Sequence, residues 1–242
     1  MQAERPKADS PKRKRHRFQF SLRTLLIFTM VCAVACGWLG KRIEQKRKER
    51  EGREAIVSLG GSVRYDYQDG NGKPPGPDWL RDLAGENFFS AVVEVRLLGN
   101  PNVGDAELAH LEGMPQLQVL NIFATNVTDA GLLHLKGLTR LKRLYLGNTR
   151  VTDAGLTCLR GLNQLQEMSL WKTKVTDAGL EHVEELANLR ELYLHSTNIS
   201  DAGLAHLKRL NQLERIDLAE TEVTEAGVNE LQKALPNCII IH

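Results

Sequence analysis

The stretch VTDAGL at residues 127–132 decides how this chain is read. It returns unchanged at 151–156 and 175–180, and with small changes as ISDAGL at 199–204 and VTEAGV at 223–228. A worn copy, VGDAEL, occupies 103–108. A catalytic motif occurs once, so a motif that returns points to a structural role. Counted from the residue before the acid, the copies start at 104, 128, 152, 176, 200 and 224, every interval being 24. A fixed period of this size marks a solenoid of stacked coils.

Each full unit reads L-x-x-L-x-L-x-x-T-x-V-T-D-A-G-L-x-x-L-x-x-L-x-x, and units begin at Leu117, Leu141, Leu165, Leu189 and Leu213. An earlier unit starts near Val92 and carries one extra residue near Pro101. The alternating leucines have period two and predict strands near 93–98, 119–123, 143–147, 167–171, 191–195 and 215–219. The DAGLxxLxxL half has helical spacing and predicts helices starting near 105, 129, 153, 177, 201 and 225. Thr128, Thr152, Thr176, Ser200 and Thr224 stand at the N-cap, and the acid after each meets the positive helix end. Gly131, Gly155, Gly179, Gly203 and Gly227 allow close approach between coils. One coil cannot bury its leucines, whereas stacked coils bury them in a continuous core. LPNCIIIH at 235–242 reads as a closing strand.

On these residues the chain resembles the leucine-rich repeat family over 92–242. The TDAGL half is similar to the cysteine-containing subtype found in F-box and bacterial repeat proteins. The departure is at the loop position usually held by Asn or Cys, which here is Thr125, Thr149, Thr173, Thr197 and Thr221. With its basic tail, FSLRTLL run and LGG, the chain resembles membrane-anchored repeat proteins of planctomycete-type bacteria. The resemblance implies an α/β fold: a right-handed leucine-rich repeat solenoid, parallel β-sheet on the concave face and helices on the convex face, behind an N-terminal transmembrane helix.

The net charge of +2 hides an asymmetry. Residues 1–54 hold 15 Lys/Arg against 6 Asp/Glu, a net of +9; residues 55–242 hold 17 against 24, a net of −7. The repeat body therefore lacks the positive field that phosphates need, and no nucleic-acid partner is expected. Cys32, Cys36, Cys158 and Cys238 form no CxxC pair and no disulfide framework.

From Thr24 to Gly40 no residue is charged, a helix of roughly 25 Å that is just long enough to span a bilayer. Trp38 falls where an interface is expected. The organisation read from this is a basic cytoplasmic tail at 1–20, a transmembrane anchor at 21–40, and a charged juxtamembrane helix at 41–58. An N-terminal cap follows at 59–90, then the repeat domain at 91–242. The single-pass reading puts the N-terminus in the cytoplasm and the repeats on the other side. Two alternatives stand beside it. Ala33-Val34-Ala35 fits a signal-peptidase site, which would give a secreted chain, and the basic run at 11–17 fits a nuclear import signal. The 41–58 segment, with Glu44–Lys48 and Glu49–Arg53 at i,i+4 spacing, reads as a solvated helix. SVRYDY at 62–67 alternates like a strand, and DWLRDLAG at 78–85 opens a short helix ended by Gly85.

His110, His134, His182 and His206 share one repeat position, with Cys158 in the gap. Packed helices stand roughly 8–10 Å apart, too far for such a ladder to converge on one ion, so no metal or cofactor is expected. No nucleophile elbow, P-loop or HExxH occurs, and no catalysis is expected. The candidate site is the face of the sheet away from the leucines. Positions 3, 5 and 7 of each unit point there. They carry all four aromatic residues of the repeats, Phe123, Tyr145, Trp171 and Tyr193, with His195 among them. Arg143, Glu167, Glu191 and Arg215 face one another across neighbouring strands as a polar border. This pattern predicts a protein or peptide ligand on the concave face. The other class of reading is an envelope protein that packs with copies of itself.

Overall fold

The computed structural model describes residues 22–70 and 72–242. The basic tail at 1–20 and the nuclear-signal run lie outside the described residues. The first helix, α1, covers Leu22–Ser58. Its stretch at 26–40 is uncharged with no buried face: Ile27, Phe28, Met30, Val31, Val34 and Trp38 are all exposed. A helix apolar all round needs an apolar surrounding. Among the described residues α1 is the helix long and apolar enough to cross a membrane.

The residues from Glu44 to His242 form one compact body. An eight-stranded sheet runs through it in sequence order: β1 (Ser62–Tyr65), β2 (Val92–Arg96), β3 (Val119–Asn121), β4 (Arg143–Tyr145), β5 (Glu167–Ser169), β6 (Glu191–Tyr193), β7 (Arg215–Asp217) and β8 (Ile239–Ile241). β1 is antiparallel to β2, and the rest are parallel. Between strands lie the short helices α3 (Asp105–Leu108), α4 (Asp129–Leu132), α5 (Asp153–Leu156), α6 (Asp177–Val183), α7 (Leu204–Leu207) and α8 (Glu225–Ala234), after α2 (Asp78–Ala84) in the cap. The expected strands and helix starts are all present, except that α7 begins at Leu204, three residues late. The leucine-rich-repeat fold follows from the period: Leu120, Ile122, Val127, Leu132 and Leu135 are fully buried, and their equivalents are buried in the other coils save Val228 in the last, which is half-buried. Each buried aliphatic side chain contributes roughly 1.5–3 kcal/mol.

Four of the loop threonines, Thr125, Thr149, Thr173 and Thr197, are buried and Thr221 half-buried, and each donates its hydroxyl to the carbonyl three residues back: Thr125 to Ile122 at 2.7 Å, Thr149 to Leu146 at 2.6 Å, Thr173 to Leu170 at 2.6 Å. A Thr therefore closes this turn from within. The residue before it is left-handed in five successive coils, with φ of 54° at Ala124, 53° at Asn148, 51° at Lys172, 55° at Ser196 and 55° at Glu220. None is glycine. The first coil uses Gly99, φ 63°.

The TDAG motif corrects the expected role of its acid. Asp129 does not serve its own helix end alone. It reaches the next coil, accepting from the Thr152 N–H at 2.8 Å and the Thr152 hydroxyl at 2.6 Å. Asp105–Thr128, Asp153–Thr176, Asp177–Ser200 and Asp201–Thr224 repeat the clamp. The hydroxyls of Thr128, Thr152 and Ser200 also accept from the amide two residues on, as N-caps do. The glycine makes room for the clamp: a Cβ on Gly131 would stand 2.6 Å from Asp105 Oδ1, and at the later glycines closer still. The worn copies are then the ends of the ladder. In the first coil Gly104 replaces the threonine and Glu107 the glycine, since no earlier carboxylate arrives; Glu107 caps Gly104 N–H instead, at 2.8 Å. In the last, Thr224 and Gly227 remain while the acid becomes Glu225 and the leucine Val228.

Residues 44–58 also depart from the solvated helix expected. Glu49 and Ile56 are buried, Gln45 Nε2 donates to Gly113 O at 2.6 Å, and Lys46 pairs with Glu49 at 2.8 Å while bonding Ser90 O. A Cβ on Gly52 would meet His110 O at 2.6 Å, so the helix lies directly on the first coil. The partners that bury these charges are far away in sequence, which is why local spacing reads them as solvated. Glu44 pairs with Arg47 at 2.8 Å.

Candidate functional site

Strand alternation puts positions 4 and 6 of each unit in the core and aims positions 3, 5 and 7 onto the opposite face of the sheet. The parallel register aligns these positions in rows: Val119, Arg143, Glu167, Glu191 and Arg215, then Asn121, Tyr145, Ser169, Tyr193 and Asp217. The third row is Phe123, Gly147, Trp171, His195 and Ala219.

Three of the expected site residues form one stack along the third row. Phe123 and Trp171 have ring centroids 5.1 Å apart at 5° between planes, and Trp171 and His195 stand at 4.9 Å and 29°. Phe123 and Trp171 belong to coils two apart. They meet because the coil between contributes Gly147, where a Cβ would lie 3.1 Å from Phe123 Cδ2. Gly147 is the position the stack depends on that the residue types alone did not reveal; a gap in an otherwise bulky row was its one signal. His195 Nδ1 faces Asp217 Oδ2 at 3.5 Å and makes no hydrogen bond.

The tyrosines do something else. Tyr145 donates its hydroxyl to Glu167 at 2.7 Å, and Tyr193 donates to Glu191 at 2.5 Å. Burial, and then the bond to Glu167, pushes the Tyr145 phenol well above its usual range. The bond to Glu191, and then burial, pushes the Tyr193 phenol up to about 12. Arg143 faces Glu167 and Glu191 faces Arg215 in register, yet among the described residues neither pair closes to an ion pair, and each carboxylate accepts a tyrosine hydroxyl.

The histidine ladder is spread along the helices: His134 Nδ1 lies 2.6 Å from Glu112, His206 Nδ1 3.3 Å from Glu184, and His182 Nδ1 3.4 Å from Arg160. Cys158 is buried. Among the described residues no three His, Cys, Asp or Glu side chains are grouped to hold a metal.

No family model and no curated protein matches this sequence. Solved structures do. Internalin C2 of Listeria monocytogenes is 21% identical with a TM-score of 0.47, over 62% of this chain and 70% of that one. Another Listeria monocytogenes internalin is 18% identical at 0.42, over 55% of this chain and 43% of that one. A Leptospira interrogans leucine-rich repeat protein is 18% identical at 0.48, over 70% of this chain and 40% of that one. The chain thus spans less than half the length of two of these three.

Proposed function

We propose that this leucine-rich-repeat chain is a membrane-tethered binding module that takes a protein or peptide on its concave face and performs no catalysis. Residues 21–40 are the anchor, with the N-terminus in the cytoplasm and the repeats across the membrane. The observation that carries the binding role is the Phe123–Trp171–His195 stack, which lies on the sheet face instead of in the leucine core. Interfaces concentrate their energy in such aromatic anchors inside a polar border, here Tyr145, Tyr193, Arg143, Glu167, Glu191 and Arg215. The test is recovery of native partners by the detergent-solubilised full chain and by Trp171→Ala. The variant is expected to lose about 2 kcal/mol of binding. Unchanged recovery would remove the site.

The anchor has its own test. The full chain should stay with membranes through a high-salt wash, which strips electrostatic attachment but not a spanning helix. An intact mass showing cleavage after Ala35 would favour the secreted form instead.

One observation favours the self-associating reading: Ile239 in β8 is 61% exposed, at a strand edge with no further partner among the described residues. A concentration-dependent particle size would support it over the binding module.

A further inference from the structure

We infer that the N-terminal end of the concave face is a trough that takes an acidic side chain of the partner, with Arg143 as its counter-ion. This rests on the concave-face reading above and adds the chemistry of the ligand.

The trough follows from side-chain lengths in register. β3 presents Val119 and Asn121, both short. Glu94 and Arg143 flank Val119, while Arg96 and Tyr145 flank Asn121. With strands about 4.8 Å apart, the two walls stand roughly 10 Å from each other. Two cavities of about 170 and 160 Å³ open there, and both are lined by Val119 and Arg143.

Its charge runs against that of the body around it. Arg64, Arg96, Lys142 and Arg143 line the cavities against Asp66 and Glu94, four cations to two carboxylates. The chain from residue 55 onward is net negative, with 17 Lys/Arg to 24 Asp/Glu. Glu94 is already neutralised: its side chain is 5% exposed, held by Arg64 at 2.6 Å and by Arg96. Glu167, the acid opposite Arg143, accepts the Tyr145 hydroxyl instead. The Arg143 side chain is exposed and makes no hydrogen bond or ion pair among the described residues, its backbone N–H alone bonding Gln118 O at 3.0 Å. A guanidinium so placed offers a fork to a carboxylate.

The occupant is a peptide segment, because the trough runs on to apolar surface. Leu98 is 51% exposed in the wall, and Gly99 N–H bonds Phe123 O at 2.8 Å, bringing the trough to the start of the ring stack. From Val119 to Phe123 is about 13 Å of strand at 3.3 Å per residue. An extended ligand fits when an acid lies three to five residues from an apolar side chain.

The experiment uses the full chain in nonionic detergent and a fluorescein-labelled peptide of alternating Leu and Glu, read by anisotropy. Its Leu-Gln counterpart and inorganic phosphate are the comparison ligands. We expect the Leu-Glu peptide to bind at least about tenfold more tightly than the Leu-Gln peptide, and Arg143→Gln to remove that difference. Arg150→Gln, an exposed arginine elsewhere on the coil, should change nothing. Equal binding of both peptides, no effect of Arg143→Gln, an equal effect of Arg150→Gln, or no binding of the Leu-Glu peptide would each overturn the inference. So would phosphate competing mole for mole with the peptide. Trp171→Ala separates the two readings. If it weakens both peptides while Arg143→Gln changes nothing, the concave face stands and the trough falls. If only Arg143→Gln acts, the aromatic stack is the part that fails.

Discussion

Asp129 takes two hydrogen bonds from Thr152 of the following coil, at 2.8 Å from its N–H and 2.6 Å from its hydroxyl. The pair is 23 residues apart in sequence and is the stitch that the TDAGL motif encodes. Removing the carboxylate at the equivalent mid-array position, Asp153→Ala, leaves the Thr176 N–H unpaired and should cost about 1–3 kcal/mol. Gly179→Ala should also destabilise, because its Cβ would strike Asp153 Oδ1. The two should be non-additive, since Asp153→Ala removes the nearest atom the new methyl would meet, leaving Val175 Cγ1 at 2.9 Å. Glu225→Ala, at the end of the ladder, should be near neutral. Chemical denaturation of the single variants and the double mutant decides this, and strict additivity would refute the clamp.

The left-handed turn residues predict gains. Lys172 holds φ 51° with an exposed side chain, and Ala124 holds φ 54°. A non-glycine residue there costs roughly 1–2 kcal/mol; glycine relieves this, less what its freer unfolded state takes back. Lys172→Gly and Ala124→Gly should each raise stability by about 0.5–1 kcal/mol. Asn148→Gly should gain less, because Asn tolerates this conformation. A lowered melting temperature for Lys172→Gly would show that the turn is not strained.

Alkaline pH should loosen the fold through the tyrosines. The folded Tyr193 phenol ionises at about 12, whereas an unfolded tyrosine does so near 10. Its stabilisation is therefore complete below about pH 10 and is lost as pH rises from there through about 12. Tyr145, also raised, acts with the same sign. Tyr193→Phe should flatten the fall in stability between about pH 10 and 12, and Glu191→Gln should lower the Tyr193 transition by removing the charge. Spectrophotometric titration with denaturation at several pH values tests both. An unaltered pH slope in Tyr193→Phe would count against the assignment.

The end of α1 predicts a sharp boundary for truncation. A chain starting at residue 44 keeps Gln45, Lys46, Glu49, Gly52 and Ile56 on the first coil. A chain starting at residue 55 keeps only Ile56 of these and uncovers Met114 and the coil's Gly113 face. The shorter chain should melt lower and lose protease resistance first around residues 92–117, since an uncapped repeat array frays from its end. Equal melting temperatures would mean the helix adds no cap.

Much of the fold is legible in the residues because each inward position of a 24-residue coil has one dry place to go. Leu120, Leu144 and Met168 could only be core, and the change from period two to helical spacing places strand and turn. The same alternation, with no knowledge of any contact, assigns Phe123, Tyr145, Trp171 and Tyr193 to the outer face. Which of these side chains touch is not legible. Contact depends on distances between coils, and local spacing carries no term for them.

The sequence by itself determined the repeat, the leucine core, the face that carries the aromatics and the apolar helix ahead of them. Tertiary structure alone decided that Asp129 serves Thr152 and not only its own helix. It also decided that Phe123 crosses Gly147 to reach Trp171, that Glu49 is buried, and that half-buried Lys46 bonds Ser90 O. The physical reason is common to all three. Burial of leucines is set by a pattern within each coil, but a hydrogen bond or ring stack is set by where stacking brings together groups 23, 44 or 48 residues apart.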